Sequence, residues 1–211
     1  MSLPQTTITS VTWAVREIRE SVDELLDMLK KKDLYSPYLE KISSEHRKKE
    51  WLTVRVLLKN MLGEEKEILY TETGKPYLSD NSFQISISHT KGFVAVALHP
   101  KKSVGIDIEY ISPRIYNIRS RFMNEKEESG LDKNQEQIHL LLHWSAKESV
   151  FKALEEQEVD FRESFHINPF SPVLNTITPF SAYETKTDKQ HHFSGYYLAN
   201  SHYVLTMVSL F

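Results

Sequence analysis

The alternation of apolar and polar residues predicts a chain of mixed strands and helices. Thr6 to Val15 is typical of a strand that runs into a helix from Ser21 to Lys32. A second helix begins at Ser43 or Ser44, either of which can cap it, and ends before Gly63. Its apolar positions recur at helical spacing: Trp51, Val54, Leu58 and Met61.

The pattern then changes to the period of two that is typical of strands. Gln84 to Ser88 alternates strictly, and Lys91-Gly92 predicts a turn into a returning strand, Phe93 to Leu98. A third strand is predicted at Val104 to Glu109. A long helix from about Gln135 to Glu156 follows, and the chain returns to strands that end in Tyr203 to Leu210.

Two distant segments share one pattern. Phe83 to Leu98 and Phe193 to Leu210 each predict strand, turn and strand, and each opens on Phe with an aromatic residue ten positions later, Phe93 and Tyr203. The length would accommodate two similar α+β halves, residues 1–103 and residues 104–211. The alternative is that any two hairpins share these features.

Composition narrows the function classes. The 211 residues include no cysteine, which excludes disulfides, thiolate metal sites and a cysteine nucleophile. The formal net charge of -3 gives no electrostatic reason to expect nucleic acid or an anionic membrane as a partner. No basic and apolar leader and no membrane-spanning stretch are predicted, so we expect a soluble, cytoplasmic protein.

The first chemical signal is the pair Asp107 and Glu109. Side chains alternate along a strand, so Val104, Ile106 and Ile108 point one way and the two carboxylates the other, about 6–7 Å apart along the backbone. Gly105 would leave that face open beside them. Carboxylates on one face favour a bound cation, and hard oxygen ligands favour Mg²⁺. The alternative is the solvent-facing acidic side of an edge strand.

The second signal lies on the long predicted helix. Glu148 and Lys152 are four residues apart and share a face, with Leu141 and Trp144 one turn earlier. A carboxylate and an ammonium group beside large apolar side chains indicate a partly desolvated site. The alternative is an ordinary surface ion pair.

Two turns carry further polar groups. Ser88-His89-Thr90 closes a strand and could bind a phosphate, although a hydrophilic turn would look the same. Gly74-Lys75-Pro76 predicts a turn that presents a cation. A Ser-His-Asp hydrolase is disfavoured because no Gly-x-Ser-x-Gly is present, and no P-loop or dinucleotide glycine motif occurs.

Taken in order, these motifs resemble the 4'-phosphopantetheinyl transferase family, in its longer type that activates surfactin synthetase. The family has Gly-Lys-Pro, Ser-His-Ser, Gly-Ile-Asp-Ile-Glu and Trp-Ser/Thr-x-Lys-Glu-Ser-x-x-Lys. This chain has Gly74-Lys75-Pro76, Ser88-His89-Thr90, Gly105 to Glu109 and Trp144 to Lys152. Arg121 to Glu127 is also similar to the family's Arg-Phe-Phe-x-x-x-Glu stretch. Thr90 replaces the usual serine and keeps the hydroxyl group.

The resemblance implies a fold and a site. The fold would be an intramolecular pseudo-dimer of two α+β halves, with the active site in the cleft between them, and a monomer in solution. Asp107, Glu109 and Glu148 would be the magnesium ligands. The side chains implied to contact coenzyme A phosphates are Lys75, Ser88, His89, Lys147 and Lys152, with Arg47 near the adenosine 3'-phosphate.

The resemblance also implies a reaction. A serine of an apo acyl or peptidyl carrier protein would attack the β-phosphate of coenzyme A, and adenosine 3',5'-bisphosphate would leave. Glu148 would accept the serine proton, with Glu127 in reserve, and Lys152 would reach the transferred phosphate. Two alternatives stay open: a magnesium-dependent phosphodiesterase or nucleotide hydrolase, and a non-catalytic module that binds coenzyme A or a carrier.

Overall fold

The computed structural model describes residues 6–8, 10–154 and 158–210. These residues form two compact units, Met1–Pro100 and Lys101–Phe211. Each unit contains an antiparallel sheet with a long helix packed against it, which makes the fold class α+β, as predicted. Within the described residues, no helix has both the length and the apolar character needed to cross a bilayer.

The described residues of the first unit form two sheets and three helices. Its main sheet has the strand order β1-β2-β6-β5, and a separate hairpin joins β3 to β4. Val54, Leu57 and Leu58 of the longest helix pack against this main sheet at Val94 and Val96. The elements are β1 (Thr6–Ile8), β2 (Val11–Glu17), α1 (Val22–Asp27), α2 (Lys32–Glu40), α3 (Glu45–Leu62), β3 (Ile68–Tyr70), β4 (Pro76–Leu78), β5 (Gln84–Thr90) and β6 (Phe93–His99).

The second unit is built around one five-stranded sheet of order β7-β11-β10-β9-β8. Its long helix packs on β7 and β11 and contributes Leu142, Ala146 and Val150 to the core. The elements are β7 (Val104–Tyr110), α4 (Ile115–Ile118), a 3-10 turn (Arg119–Arg121), α5 (Glu125–Ser129), α6 (Glu136–Leu154), α7 (Phe161–Ser164), β8 (Phe165–Ile167), β9 (Thr178–Glu184), β10 (His192–Ala199) and β11 (Tyr203–Leu210).

The two units share a topology. In the first, strand β2 is followed by α3 and later by the hairpin β5–β6, whose second strand pairs with β2. In the second, strand β7 is followed by α6 and later by the hairpin β10–β11, whose second strand pairs with β7. The repeated pattern in Phe83–Leu98 and Phe193–Leu210 therefore corresponds to equivalent hairpins.

Local capping explains where α3 begins and ends. Ser44 is its N-cap and accepts a hydrogen bond from the backbone of Arg47, while Gly63 adopts φ 77° at its end. These predicted ends are confirmed, as are the strands of β5, β6 and β7. The predicted long helix is α6; of its expected last positions, 155 and 156 lie outside the described residues.

Two predictions near the start of the chain are wrong. Thr6 to Val15 forms a hairpin instead of one strand, because Ser10 adopts φ 69° and the chain reverses between β1 and β2. The first helix ends at Asp27, since the backbone amides of Lys30 and Lys31 donate to the carboxylate of Glu65. The sequence interpretation also missed α2, which contains a proline.

Candidate active site

The candidate site of the second unit depends on how closely α6 approaches β7. A Cβ atom at Gly105 would lie 1.9 Å from the carbonyl oxygen of Ser149. The hydroxyl groups of Ser145 and Ser149 lie 3.0 and 2.8 Å from the hydroxyl of Thr206 on β11. The sequence suggested that the face beside Gly105 would be open. Instead, α6 fills this face and is held in register there.

This packing puts the strand carboxylates under the helix. Gly105, Asp107 and Glu109 share one face of β7 because side chains alternate along a strand. Asp107 is 5% exposed, although β7 is the last strand of its sheet. The alternative of a solvent-facing acidic edge is therefore wrong for Asp107.

Lys152 of α6 supplies the positive charge at this face. Its ammonium group donates to Oδ1 of Asp107 at 2.7 Å and to the carbonyl oxygen of Ile106 at 3.1 Å. Its side chain is partly buried. Lys152 thus pairs with a carboxylate of another element, β7. This contact distinguishes it from the alternative, an ordinary surface ion pair within one helix.

The other two carboxylates of the site are strongly perturbed. Burial, together with the charge of Asp107, raises the pKa of Glu109 to about 7, and the indole N–H of Trp144, which donates to Oε1 at 2.9 Å, opposes this rise. Burial and the same Asp107 charge raise the pKa of Glu148 to about 7, while Lys152 opposes the rise. Three carboxylates therefore lie close enough to repel one another.

The donor set at this face suits a magnesium ion. Carboxylate oxygens are the hard ligands that Mg²⁺ prefers, and a cation would relieve the repulsion among the three groups. Among the described residues, however, no three acidic or histidine side chains are grouped so that they could already hold a metal ion. The residues fit the ion by chemistry, and Asp107 is neutralised by Lys152 in the arrangement that the structure has.

Lys147 does not fit the ligand contact that the resemblance implied. Its ammonium group is fully buried and donates to Oε2 of Glu127 at 2.8 Å and to the carbonyl oxygens of Phe122 and Phe161 at 2.5 and 3.1 Å. Three protein acceptors leave no role for a coenzyme A phosphate at this nitrogen. We therefore correct the prediction: Lys147 joins separate segments inside the second unit.

Glu127 does not fit the role of reserve base for the same reason. Its Oε2 also accepts the backbone N–H of Asn124 at 3.2 Å, and its Oε1 accepts the backbone N–H of Ile167 at 3.0 Å. The side chain is buried and both of its oxygens are engaged. The Arg121 to Glu127 stretch therefore ends on a carboxylate that binds Lys147 and two backbone amides.

The first unit has a pocket of its own, of about 590 Å³. Its lining includes Ser44 and Arg47 at the start of α3, Gly74 and Pro76 beside Lys75, and His89 at the end of β5. Arg47 donates to Nε2 of His89 at 2.6 Å. The structure therefore brings Arg47 and His89 together at one pocket, next to the turn that carries Lys75.

Ser88 was predicted to belong to this pocket and does not, whereas Glu50 lines the pocket and was not predicted. Ser88 is buried and lies on the opposite face of β5 from His89, so it does not line the pocket. Glu50, also buried, accepts from Arg47 at 3.2 Å and lies 3.1 Å from His46 and 3.5 Å from His89. Its spacing from His46 and Arg47 along the helix was the signal that could have identified it.

A comparison with protein families gives a match that covers most of the second unit. Residues 103–208 match the 4'-phosphopantetheinyl transferase superfamily, and they carry β7, α6 and all four charged residues of the candidate site. The chain belongs to this superfamily.

Individual relatives are similar over part of their length. The chain is 33% identical over 113 residues to the 4'-phosphopantetheinyl transferase AcpT of Salmonella typhimurium, covering 50% of this chain and 58% of that protein. It is 30% identical over 112 residues to AcpT of Escherichia coli K12, covering 50% and 57%. With HetI of Nostoc sp. it shares 25% identity over 162 residues, 68% of each chain. The chain thus spans somewhat more than half the length of the AcpT proteins.

Proposed function

We propose that this protein transfers the 4'-phosphopantetheine group of coenzyme A to a serine of an apo acyl or peptidyl carrier protein in a magnesium-dependent reaction. The observation that carries the proposal is the Lys152–Asp107 ion pair beside Glu109 and Glu148, within the segment that matches the superfamily. Transfer of phosphopantetheine needs both the carboxylates and the ammonium group, because charge on the pyrophosphate must be neutralised while a proton is removed.

The three carboxylates would hold the metal ion. Asp107, Glu109 and Glu148 supply the hard oxygen ligands, and a bound magnesium ion supplies positive charge to the pyrophosphate of coenzyme A. Lys152 already neutralises one carboxylate at 2.7 Å and would help to bind the phosphate that is transferred.

Glu148 is the base that we assign to the carrier serine. A carboxylate has two oxygens, so one oxygen of Glu148 would bind the metal ion while the other accepts the proton. The serine oxygen attacks the β-phosphorus, its proton passes to Glu148, and the bond to the leaving adenosine 3',5'-bisphosphate breaks. Glu127 is not needed for this step.

The pocket of the first unit would bind phosphate of the adenosine end of coenzyme A. A phosphate at the Arg47–His89 pair would accept hydrogen bonds from Arg47 and, once His89 carries a proton on Nε2, from His89 as well. Lys75 on the neighbouring turn adds a third positive charge. We retain these three as coenzyme A contacts and omit Ser88 and Lys147.

We further propose a cytoplasmic protein that acts as a monomer. Two units of matching topology within one chain support the monomer, and the absence of cysteine is compatible with a reducing compartment. Light scattering should give the mass of one chain, and an obligate trimer would contradict the proposal.

Mass spectrometry of a carrier tests the reaction directly. After incubation with the protein, coenzyme A and Mg²⁺, an apo-carrier should gain one phosphopantetheine unit, and a carrier whose acceptor serine is replaced by alanine should gain none. Chelation and Glu148→Gln should each stop the reaction. Several carriers should be tried. Carrier-independent hydrolysis of coenzyme A would favour the phosphodiesterase, and binding without turnover would favour the non-catalytic module.

A further inference from the structure

Trp144 holds one of the three site carboxylates. Its indole N–H donates to Oε1 of Glu109 at 2.9 Å, across from α6 to β7. Trp144 lies four residues before Glu148 on the same helix, so the side chain that contacts Glu109 and the third carboxylate rise from one face of α6.

The indole ring is itself held in place by other aromatic residues. Its centroid lies 5.4 Å from that of Phe122 and 5.5 Å from that of Phe161. The backbone carbonyl oxygens of both residues accept hydrogen bonds from Lys147, so the segments that carry them are anchored. The position of the indole N–H is therefore set by packing that does not involve the carboxylates.

We infer that Trp144 is a positioning residue that fixes the rotamer of Glu109 through Oε1 and leaves its second oxygen, Oε2, to serve as the ligand of a metal ion. Because Oε1 accepts the hydrogen bond, Glu109 would bind the ion through Oε2 alone, as a monodentate ligand. A glutamate without this bond would have three side-chain torsions to order when the cation binds. The inference rests on the magnesium site of the proposed function and concerns binding of the ion, not the transfer step.

Phenylalanine is the informative substitution. Trp144→Phe keeps an aromatic ring against Phe122 and Phe161 but removes the N–H donor. Loss of a hydrogen bond that orients a metal ligand typically costs tenfold to hundredfold in metal affinity, so we expect a loss of about that size for Mg²⁺ or Mn²⁺. Trp13→Phe makes the same chemical change at a buried indole of β2, a strand that carries none of the predicted metal ligands, and should leave metal affinity unchanged.

Calorimetric titration of Mn²⁺, with coenzyme A present and carrier absent, measures the affinity without turnover. A spectroscopic signal then separates positioning from general stability. The chain has three tryptophans, and Trp144→Phe identifies the indole N–H resonance of Trp144 in ¹H–¹⁵N spectra. This resonance should shift as Mg²⁺ is added and saturate at the calorimetric affinity, and Glu109→Gln should abolish the shift.

The outcomes separate this inference from the proposed function. If the native protein binds the ion but Trp144→Phe binds it equally well, or if the Trp144 resonance does not respond, the positioning role is overturned while the magnesium site stands. If the native protein binds no divalent ion in the presence of coenzyme A, both the magnesium site and the positioning role of Trp144 are overturned. Failure to modify any tested carrier, with metal binding and the Trp144 response intact, would overturn only the transfer reaction.

Discussion

The ammonium group of Lys147 lies 2.8 Å from the carboxylate of Glu127, and both side chains are buried in the second unit. The pair links α6 to α5, and its additional hydrogen bonds reach Phe122, Phe161 and Ile167. Lys147 directly precedes Glu148 in the chain. A structural ion pair and a candidate catalytic residue thus occupy neighbouring positions of one helix and point to different surroundings.

Removing one member of this pair should be more harmful than replacing both. Lys147→Met should lower the free energy of unfolding by about 3–5 kcal/mol, because Glu127 would remain as an uncompensated buried charge. Lys147→Met combined with Glu127→Gln should recover much of this loss, and urea denaturation measures both. Coenzyme A affinity should be unchanged in the double variant. A large loss of affinity in a stable double variant would restore Lys147 as a ligand contact.

Gly105→Ala should destabilise the second unit. The added Cβ atom would meet the Ser149 carbonyl oxygen at 1.9 Å, so α6 would have to move away from β7. We expect a loss of at least about 2 kcal/mol. At Gly130 the nearest atom to an added Cβ is 3.6 Å away and φ is -89°, so Gly130→Ala is the control and should stay within about 0.5 kcal/mol of the native protein. Equal thermal stability of the two variants would contradict the close approach at Gly105.

Acid should weaken the fold through His143. Burial, followed by the positive charges of His139 and Lys147, lowers the pKa of His143 well below its ordinary value. Oε1 of Glu127 lies 3.9 Å from Nδ1 of His143, but Lys147 already balances that carboxylate. The unfolded chain therefore binds a proton at about pH 6.5 that the folded chain does not, so stability falls as the pH falls below that value.

His143→Leu should remove this pH dependence. Between pH 7.5 and pH 5.5 the native protein should lose about 1 kcal/mol more of its unfolding free energy than the variant loses. The variant also removes Nδ1, a buried atom with no hydrogen-bond partner among the described residues. Urea denaturation at the two pH values is the measurement, and His202→Gln, at an exposed position, is the control. Parallel pH profiles for native protein and variant would show that His143 is not responsible.

Lys75→Ala should affect binding of coenzyme A more than chemistry. Charge-assisted contacts to phosphate contribute about 1.5–3 kcal/mol, so the coenzyme A requirement should rise about tenfold to hundredfold while the maximal rate changes little. Lys30→Ala removes an exposed cation of the same unit and should change neither quantity. Steady-state kinetics with a carrier that the native protein modifies measures both the coenzyme A requirement and the maximal rate. A fall in maximal rate at unchanged coenzyme A affinity would assign Lys75 to the transfer step.

Asp107→Asn should abolish transfer while the fold survives. The amide oxygen of Asn can still accept the hydrogen bond from Lys152, but it does not balance the charge of a magnesium ion. Circular dichroism should remain native, and the carrier should gain no mass even at high Mg²⁺ concentration. Transfer near the native rate at saturating Mg²⁺ would exclude Asp107 as a metal ligand.

The sequence by itself determined features that depend on neighbouring residues. The strict alternation at Gln84–Ser88 identified a strand, and Ser44 and Gly63 marked the ends of α3, because strand pleat and helix caps are set by local backbone geometry. The same rule correctly placed Asp107 and Glu109 on one face of β7. Ordered motifs then indicated the family, although each of them alone had an ordinary structural explanation.

Only the tertiary structure decided which of these faces meets which partner. Lys147 and Lys152 are residues of one type in one helical motif, yet one is enclosed with Glu127 and the other pairs with Asp107. Ser88 and His89 are likewise adjacent but lie on opposite faces of β5. Spacing along an element defines its faces, but contacts between residues far apart in the chain determine what covers each face, because burial and charge pairing depend on packing that local geometry does not specify.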